Sequence, residues 1–333
     1  MKKFLLPETG SFYKANLHCH TTVSDGRFTP EEIKATYKAA GYSIVAYTDH
    51  NLLVPHNDLN DESFLSLTSV ELDVRDQSQP WCKTASTCHL CFIAPVANPT
   101  RTVGWHREKY VNPKYAHNRT LAIFDENEPD YERVYTAEGI NDLIAKGREA
   151  GFFITYNHPV WSVEGADKYL TYHGMHAMEI YNNSSWHLGC DEHNPRVYDD
   201  MLQHGERIFA LATDDNHSHV DECGGFTVIK AEKLEYRAVI DALFAGHFYA
   251  STGPEIRALW LETDAEGATH VHIECPGAHR ITYNTPTRRA SVAWDCDSAD
   301  FKVSLDDVYF RLTVVDAAGN FAHTNAYFTE EWL

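Results

Sequence analysis

The segment Asn16-Leu17-His18-Cys19-His20, followed by Ser24-Asp25-Gly26, carries the clearest chemistry in the chain. Two histidines separated by one residue project to the same face of a β-strand, so both imidazoles converge on one point. Imidazoles that converge in this way are a metal-binding arrangement. The pattern recurs, because other apolar runs also end in potential donors: Thr48-Asp49-His50, Val70-Glu71, Asn157-His158-Pro159 and Asp214-Asp215-Asn216-His217. Mixed imidazole and carboxylate donors suit Mn, Fe or Zn better than Ca or Mg. Adjacent divalent ions lower the pKa of a shared water and polarise an acyl or phosphoryl oxygen, so hydrolysis needs no serine or cysteine nucleophile. Cys19 lies between two candidate donors but on the opposite strand face, where it packs. Asp49 suits either of two roles, orienting a donor histidine or bonding loop amides.

The elements that must position these groups alternate in type. Thr29-Pro30-Glu31-Glu32 reads as a helix start, with a threonine cap, proline at the first position and acids in the first turn; the helix runs to about Ala40 and stops at Gly41. Strands are expected at 43–47, from Leu65 to Leu72, from Thr87 to Ala94, and at 152–156, 178–181 and 208–212. Helices are expected at 136–150 and from Leu234 to Ala245. Such alternation predicts parallel strands with crossover helices. Functional residues of such barrels gather at the carboxyl ends of the strands, and His18, His50, His158 and Asp215 fall there. Residues 98–135 break the pattern with aromatics, Arg, Asn and Pro, and read either as a lid-like insertion over the mouth or as a plain surface loop. Past Ser251-Thr252-Gly253-Pro254, strand-like alternation at 256–261, 270–274 and 309–315, with a turn at 316–320, predicts a small β-sandwich over 255–333. The domain boundaries are therefore 1–254 and 255–333.

Composition bounds the function classes. With 333 residues, 43% of them hydrophobic, the chain can bury a large core without metal. Its net charge of −20 argues against a broad electrostatic grip on duplex nucleic acid, while bound cations could still reverse the local sign for a small anion. The eight cysteines, Cys82 among them, are irregularly spaced and do not suggest a disulfide framework; Cys88-His89-Leu90-Cys91 holds a CxxC without a second such pair. The apolar stretch at the start is too short for a signal peptide and no run reaches transmembrane length, so a reducing cytoplasm is the expected compartment and no membrane partner is expected.

Taken in order, His18-x-His20, Ser24-Asp25-Gly26, Thr48-Asp49-His50, Val70-Glu71, His89, Asn157-His158-Pro159 and Asp215-Asn216-His217 resemble the PHP (polymerase and histidinol phosphatase) superfamily over roughly residues 12–253. Phe248-Tyr249-Ala250-Ser251-Thr252-Gly253-Pro254, followed by a β-rich region, is similar to a carbaryl-hydrolase-like subgroup. The resemblance implies an α/β fold, a distorted (β/α)7 barrel with two or three divalent ions (Mn, Fe or Zn) at its mouth. By position, His18, His20, Glu71 and Asp215 would hold one ion. Glu71 would reach a second, held with His89 and His158, and Asp25, His50 and His217 would hold a third. A bridging hydroxide would sit among Glu71, Asp215 and His158. Asp214 competes with Asp215, and the DxH spacing favours Asp215.

Substrate contacts are expected from Arg27, Trp161, Tyr181, Asn182, His187 and His219, with Trp186 nearby. Many phosphoesterases of the superfamily carry an arginine shortly after His-Pro, whereas this chain reads His158-Pro159-Val160-Trp161-Ser162. Three functions follow: a phosphoesterase acting on a small mono- or diester, a carboxylic ester or carbamate hydrolase using the same site, and a binding module centred on the β-rich region.

Overall fold

The computed structural model describes residues 2–78 and 85–333, so Cys82 lies outside it. The chain begins with β1 (Lys2–Phe4), β2 (Ser11–Asn16), α1 (Pro30–Ala39) and β3 (Ile44–Tyr47). The start of α1 forms a reciprocal cap: Thr29 Oγ1 accepts from Glu32 N, and the Glu32 carboxylate accepts from Thr29 N. This fixes the helix over β3 and buries Ile33 and Tyr37.

Next come β4 (Leu65–Arg75), β5 (Thr87–Ile93), α2 (Ala137–Glu149), β6 (Phe153–Tyr156), α3 (Ala166–Tyr169), β7 (Ala177–Asn182), α4 (Asn183–His187), α5 (Pro195–Gln203) and β8 (Phe209–Thr213). Strands β2 through β8 are hydrogen-bonded in chain order. The pairs β2/β3, β3/β4, β6/β7 and β7/β8 are parallel. The expected uninterrupted parallel order fails at β5, which is antiparallel to both β4 and β6. A parallel return needs a crossover of about a dozen residues or more, usually helical, and the β4–β5 connection, residues 76–86, is shorter.

Two further strands, β9 (Phe226–Ala231) and β10 (Phe248–Ser251), joined through α6 (Tyr236–Phe244), extend the β2 side of the sheet in antiparallel pairings. Side chains then connect the β8 edge back to this side. Thr227 Oγ1 donates to Ala212 O at 3.0 Å, and Asn325 accepts from Ala210 N while donating to Gly246 O and Phe248 O. Just beyond the strands, Asp215 N donates to His18 O at 3.0 Å and His20 N to Asn216 O at 3.3 Å. The chain after β2 and the chain after β8 are thereby joined at the end where the candidate donors lie.

The C-terminal region comprises β11 (Ala258–Thr263), β12 (Thr269–Asn284), β13 (Ser291–Val303), β14 (Tyr309–Asp316), β15 (Phe321–Thr324), β16 (Tyr327–Phe328) and the short α7 (Thr329–Trp332). Strand β12 is far longer than the expected 270–274, and β13 lies where the alternation predicts no strand; a register shift between Glu274 and Ala278 bends this hairpin so that it serves two pairings. Pairing of β10 with β15 makes the region continuous with the main sheet. Arg311, 3% exposed, grips Asp199 of α5 through two bonds of 2.7 and 2.8 Å.

Residues 98–135 hold one 3₁₀ segment, Pro113–Leu121. Trp105 and Val111 pack with Val23, Leu52 and Val54, which belong to the loops after β2 and β3. Asn118 donates to Val23 O and Ile123 N to Leu53 O, both at 2.9 Å. No helix among the described residues is long and apolar enough to cross a membrane.

Candidate metal centre

Local sequence determines which side chains reach the centre. Alternation along β4 and β5 sends Val70, Leu72, Val74, Cys88, Leu90 and Phe92 into one apolar core. Glu71, Asp73, His89 and Cys91 take the other face, with Glu71 directly opposite Cys91 and Asp73 opposite His89. The same alternation separates Cys88 from Cys91, so the CxxC sulfurs face opposite sides and cannot share an ion. The turn at Ser24-Asp25-Gly26 folds back tightly: a Cβ on Gly26 would stand 2.5 Å from the backbone carbonyl of His20. His158 and Asp215 both hold positive φ, 27° and 51°, the type of backbone strain that collects at functional sites.

The nine expected donors come together. His18 Nε2 lies 3.2 Å from Glu71 Oε1, 3.2 Å from Asp215 Oδ1 and 3.1 Å from His20 Nε2. His20 Nε2 is 3.1 Å from Asp215 Oδ1 and 3.3 Å from Glu71 Oε2. His89 Nδ1 and His158 Nε2 approach Glu71 Oε1 at 3.0 and 3.2 Å, and His50 Nδ1 approaches Glu71 Oε2 at 3.0 Å. Asp25 lies 3.4 Å from His217 Nε2 and 3.8 Å from His50 Nε2. Groups compact enough to share an ion are His20, Asp25, His50 and His217; His18, His158 and Asp215; His50, Glu71 and His89; and His18, Glu71 and Cys91. The structure thus places His50 and His20 between groupings that the resemblance keeps separate.

Two oxygens test whether cations fit. Glu71 Oε2 and Asp215 Oδ1 are buried and accept no hydrogen bond, although imidazole nitrogens stand 3.0–3.3 Å away. Donor atoms this close without hydrogen-bond alignment direct their lone pairs at common points, which is the geometry of a coordination shell. Without cations the carboxylates shift the imidazoles unequally. Burial opposes protonation of His18, but Asp215, Glu71 and Glu179 outweigh it and hold its pKa well above the usual range. Burial likewise opposes protonation of His158, while Glu71, Asp215 and Glu179 raise it to about 9. For His50 burial prevails and the value falls to about 4.

Supporting contacts orient the donors. His18 Nδ1 lies 2.7 Å from Glu179 Oε1, which turns Nε2 toward the centre. Glu179 also accepts from Thr213 Oγ1, His158 N and Asn182 Nδ2, at 2.7–2.9 Å. Sequence reasoning gave Glu179 no role, although a lone acid within the buried run Ala177–Asn182 was a usable signal. His158 Nδ1 faces Ser162 Oγ at 3.2 Å. Asp49 takes the loop-amide role, accepting from Thr21 N, Ser24 N and both their hydroxyls. Asp214 faces away from the centre and accepts from the amides of Cys223, Gly224 and Gly225 and from Tyr37.

The expected substrate contacts scatter. Trp161, 40% exposed, sets its indole edge-on to His89 and His158, with centroids 5.4 and 5.0 Å apart. Asn182 is buried and its amide is engaged by Glu179 and Asp215, a positioning contact. Tyr181 packs between Trp186 and Phe321 and donates to Asn183. His187 is exposed on α4, and Arg27 is exposed with its backbone N bonded to His217 O. His219 stacks on Phe28 and pairs with Glu222 at 2.9 Å. A cavity of about 60 Å³ beside Asp25 and His50 is lined by Tyr110, Val111, Asn112 and Tyr115 of the 98–135 segment and by Arg75.

No family model and no curated protein matches the chain. Among solved structures, it is similar to a two-domain protein of Bacteroides vulgatus containing a predicted PHP-like metal-dependent phosphoesterase: 13% identity, 98% of each chain, TM-score 0.46. It is also similar to an amidohydrolase of Chromobacterium violaceum (17% identity, 62% of this chain and 88% of that one, TM-score 0.34) and to a lesion-specific endonuclease of Pyrococcus furiosus (15%, 70% and 56%, TM-score 0.42). At these similarities the site geometry, and not the likeness, carries the functional argument.

Proposed function

We propose that this chain is a metal-dependent hydrolase of PHP type that cleaves a small phosphate mono- or diester. The observation that carries this reading is the convergence of nine His, Asp and Glu donors around two buried carboxylate oxygens that accept no hydrogen bond. On this reading the β2–β8 sheet is the distorted (β/α)7 barrel, residues 255–333 are the appended β-sandwich, and residues 98–135 form a wall of the mouth. His18, His20, Asp25, His50, Glu71, His89, His158, Asp215 and His217 would hold two or three divalent ions, with Mn, Fe and Zn suited to the donors. Such ions would supply Lewis acidity, polarising a phosphoryl oxygen and making a water acidic enough to attack at neutral pH. The protein's own contribution is orientation: Glu179 fixes the His18 ring, Ser162 faces His158, and Asp49 pins the loop that carries Asp25. The −20 charge favours a small substrate over duplex nucleic acid.

One observation favours a second reading. Trp161 borders His89 and His158 where an arginine would serve a phosphate, and an aromatic wall suits the apolar leaving group of a carboxylic ester or carbamate. Parallel turnover of bis(4-nitrophenyl) phosphate and 1-naphthyl acetate by metal-loaded protein separates the two. Phosphodiester turnover abolished by chelator is expected; chelator-sensitive naphthyl ester turnover alone would transfer the assignment to the second reading.

A further inference from the structure

Among the described cysteines, Cys91 alone belongs to a group of donors compact enough to share an ion: its Sγ, a His18 nitrogen and a Glu71 carboxylate oxygen all lie within 4.8 Å of one another. The other buried cysteines are placed differently. Cys19 packs among Tyr37, Val45 and Tyr47, Cys88 lies in the apolar core with Leu90 and Phe92, and Cys275 lies in the core of the C-terminal strands. Cys91 is directed to the centre because it sits on the donor face of β5, directly opposite Glu71. It is wholly buried, and Asn157 Nδ2 donates to its sulfur at 3.0 Å and to Glu71 Oε1 at 3.1 Å, so one amide holds thiol and carboxylate in register. Independently, Glu71 Oε2 and Asp215 Oδ1 in the same pocket are buried and accept no hydrogen bond, which leaves their lone pairs open to a cation.

We propose that Cys91 is a sulfur donor to a cation shared with His18 and Glu71, and that it biases this position toward Zn(II) or Fe(II) over Mn(II). The proposal rests on the metal-dependent reading above. A span of up to 4.8 Å is bridged by one ion with bonds of about 2.0–2.3 Å after small side-chain shifts. On binding, the S–H proton passes to solvent as the sulfur–metal bond forms, so one proton is released per site and no redox partner is needed. Thiolate is the softest donor in the centre and favours zinc and iron over manganese, whereas imidazole and carboxylate alone discriminate less.

The test uses the full chain stripped with chelator and reloaded with Co(II) without oxygen. A near-ultraviolet thiolate-to-cobalt charge-transfer band is expected, lost in Cys91→Ser and kept in Cys190→Ser, with the visible cobalt bands present in all three. In equimolar Zn(II) and Mn(II), the bound zinc-to-manganese ratio should fall about tenfold in Cys91→Ala. Absence of the band in the wild type overturns the sulfur assignment even if a variant misfolds, and a band kept in Cys91→Ser overturns it as well. Cobalt bound without the band overturns the sulfur assignment and leaves the metal-dependent reading intact; no cobalt bound overturns both.

Discussion

Two buried carboxylate clusters in this molecule are built in opposite ways. Glu164 is 7% exposed, and both its oxygens are occupied: Tyr135 and Tyr172 donate to Oε1 at 2.8 and 2.6 Å, and Tyr156 donates to Oε2 at 2.8 Å. Glu71, fully buried, is ringed by five imidazoles, yet its Oε2 accepts nothing. Consecutive residues repeat the contrast. Asp214 is saturated by three amides and a phenol, while Asp215 leaves Oδ1 open. Glu164 and Asp214 are closed by hydrogen donors, since an unmet lone pair on a buried acid costs about 1–3 kcal/mol. An acid left open among imidazoles keeps its lone pairs for a cation.

The largest effect should come from the open cluster. Replacing His18 and His20 together with alanine, or Glu71 with glutamine, should remove metal and lower turnover by several orders of magnitude, with circular dichroism unchanged. Full turnover in the double variant would break the contrast. The orienting contact comes next. Glu179→Gln should weaken metal affinity roughly 10–100-fold, read by competition with a chromogenic chelator, because the His18 ring loses its carboxylate partner. The closed cluster should respond differently: Glu164→Gln should cost about 1–3 kcal/mol in denaturant unfolding, since three phenols lose their charged acceptor, with metal content unchanged. If Glu164→Gln lost metal instead, the two clusters would not be distinct in kind.

The smallest effect concerns a closed pair that joins the chain before α5 to β15. His193 Nε2 and His323 Nε2 lie 2.9 Å apart. Burial, then Arg311 and His193, holds His323 well below the usual imidazole range, and burial lowers His193 to about 4. A histidine depressed in the folded state gives stability that is complete above about pH 6.5 and is lost as pH falls through its folded value. Metal-free wild type should therefore lose more melting temperature between pH 6.5 and 4.5 than His323→Gln does. Equal slopes would show that the pair does not govern acid sensitivity.

The donor residues were legible because ligand-competent side chains recur after apolar runs, a local and periodic signal. What the sequence concealed was long-range. The reversal of β5 depends on a short connection more than on the composition of the strand. Strand β13 carries few buried apolar residues, so its period is faint, and its partner is set by a bend in β12. Glu179 carries a local signal, a lone acid inside a buried strand, but its role depends on His18, distant in sequence, being placed beside it. The roles of Asp49 and Asp214 turn on which lone pairs meet amides, which residue type does not disclose.

The central claim is that the open oxygens of Glu71 and Asp215 mark a multinuclear cation centre. Elemental analysis of the full chain, after loading with Mn, Fe and Zn and removal of free ions, tests it most directly. Two or three tightly held equivalents, falling below one in Glu71→Gln and unchanged in Glu164→Gln, are the predicted result. Less than one equivalent in the wild-type protein would contradict it.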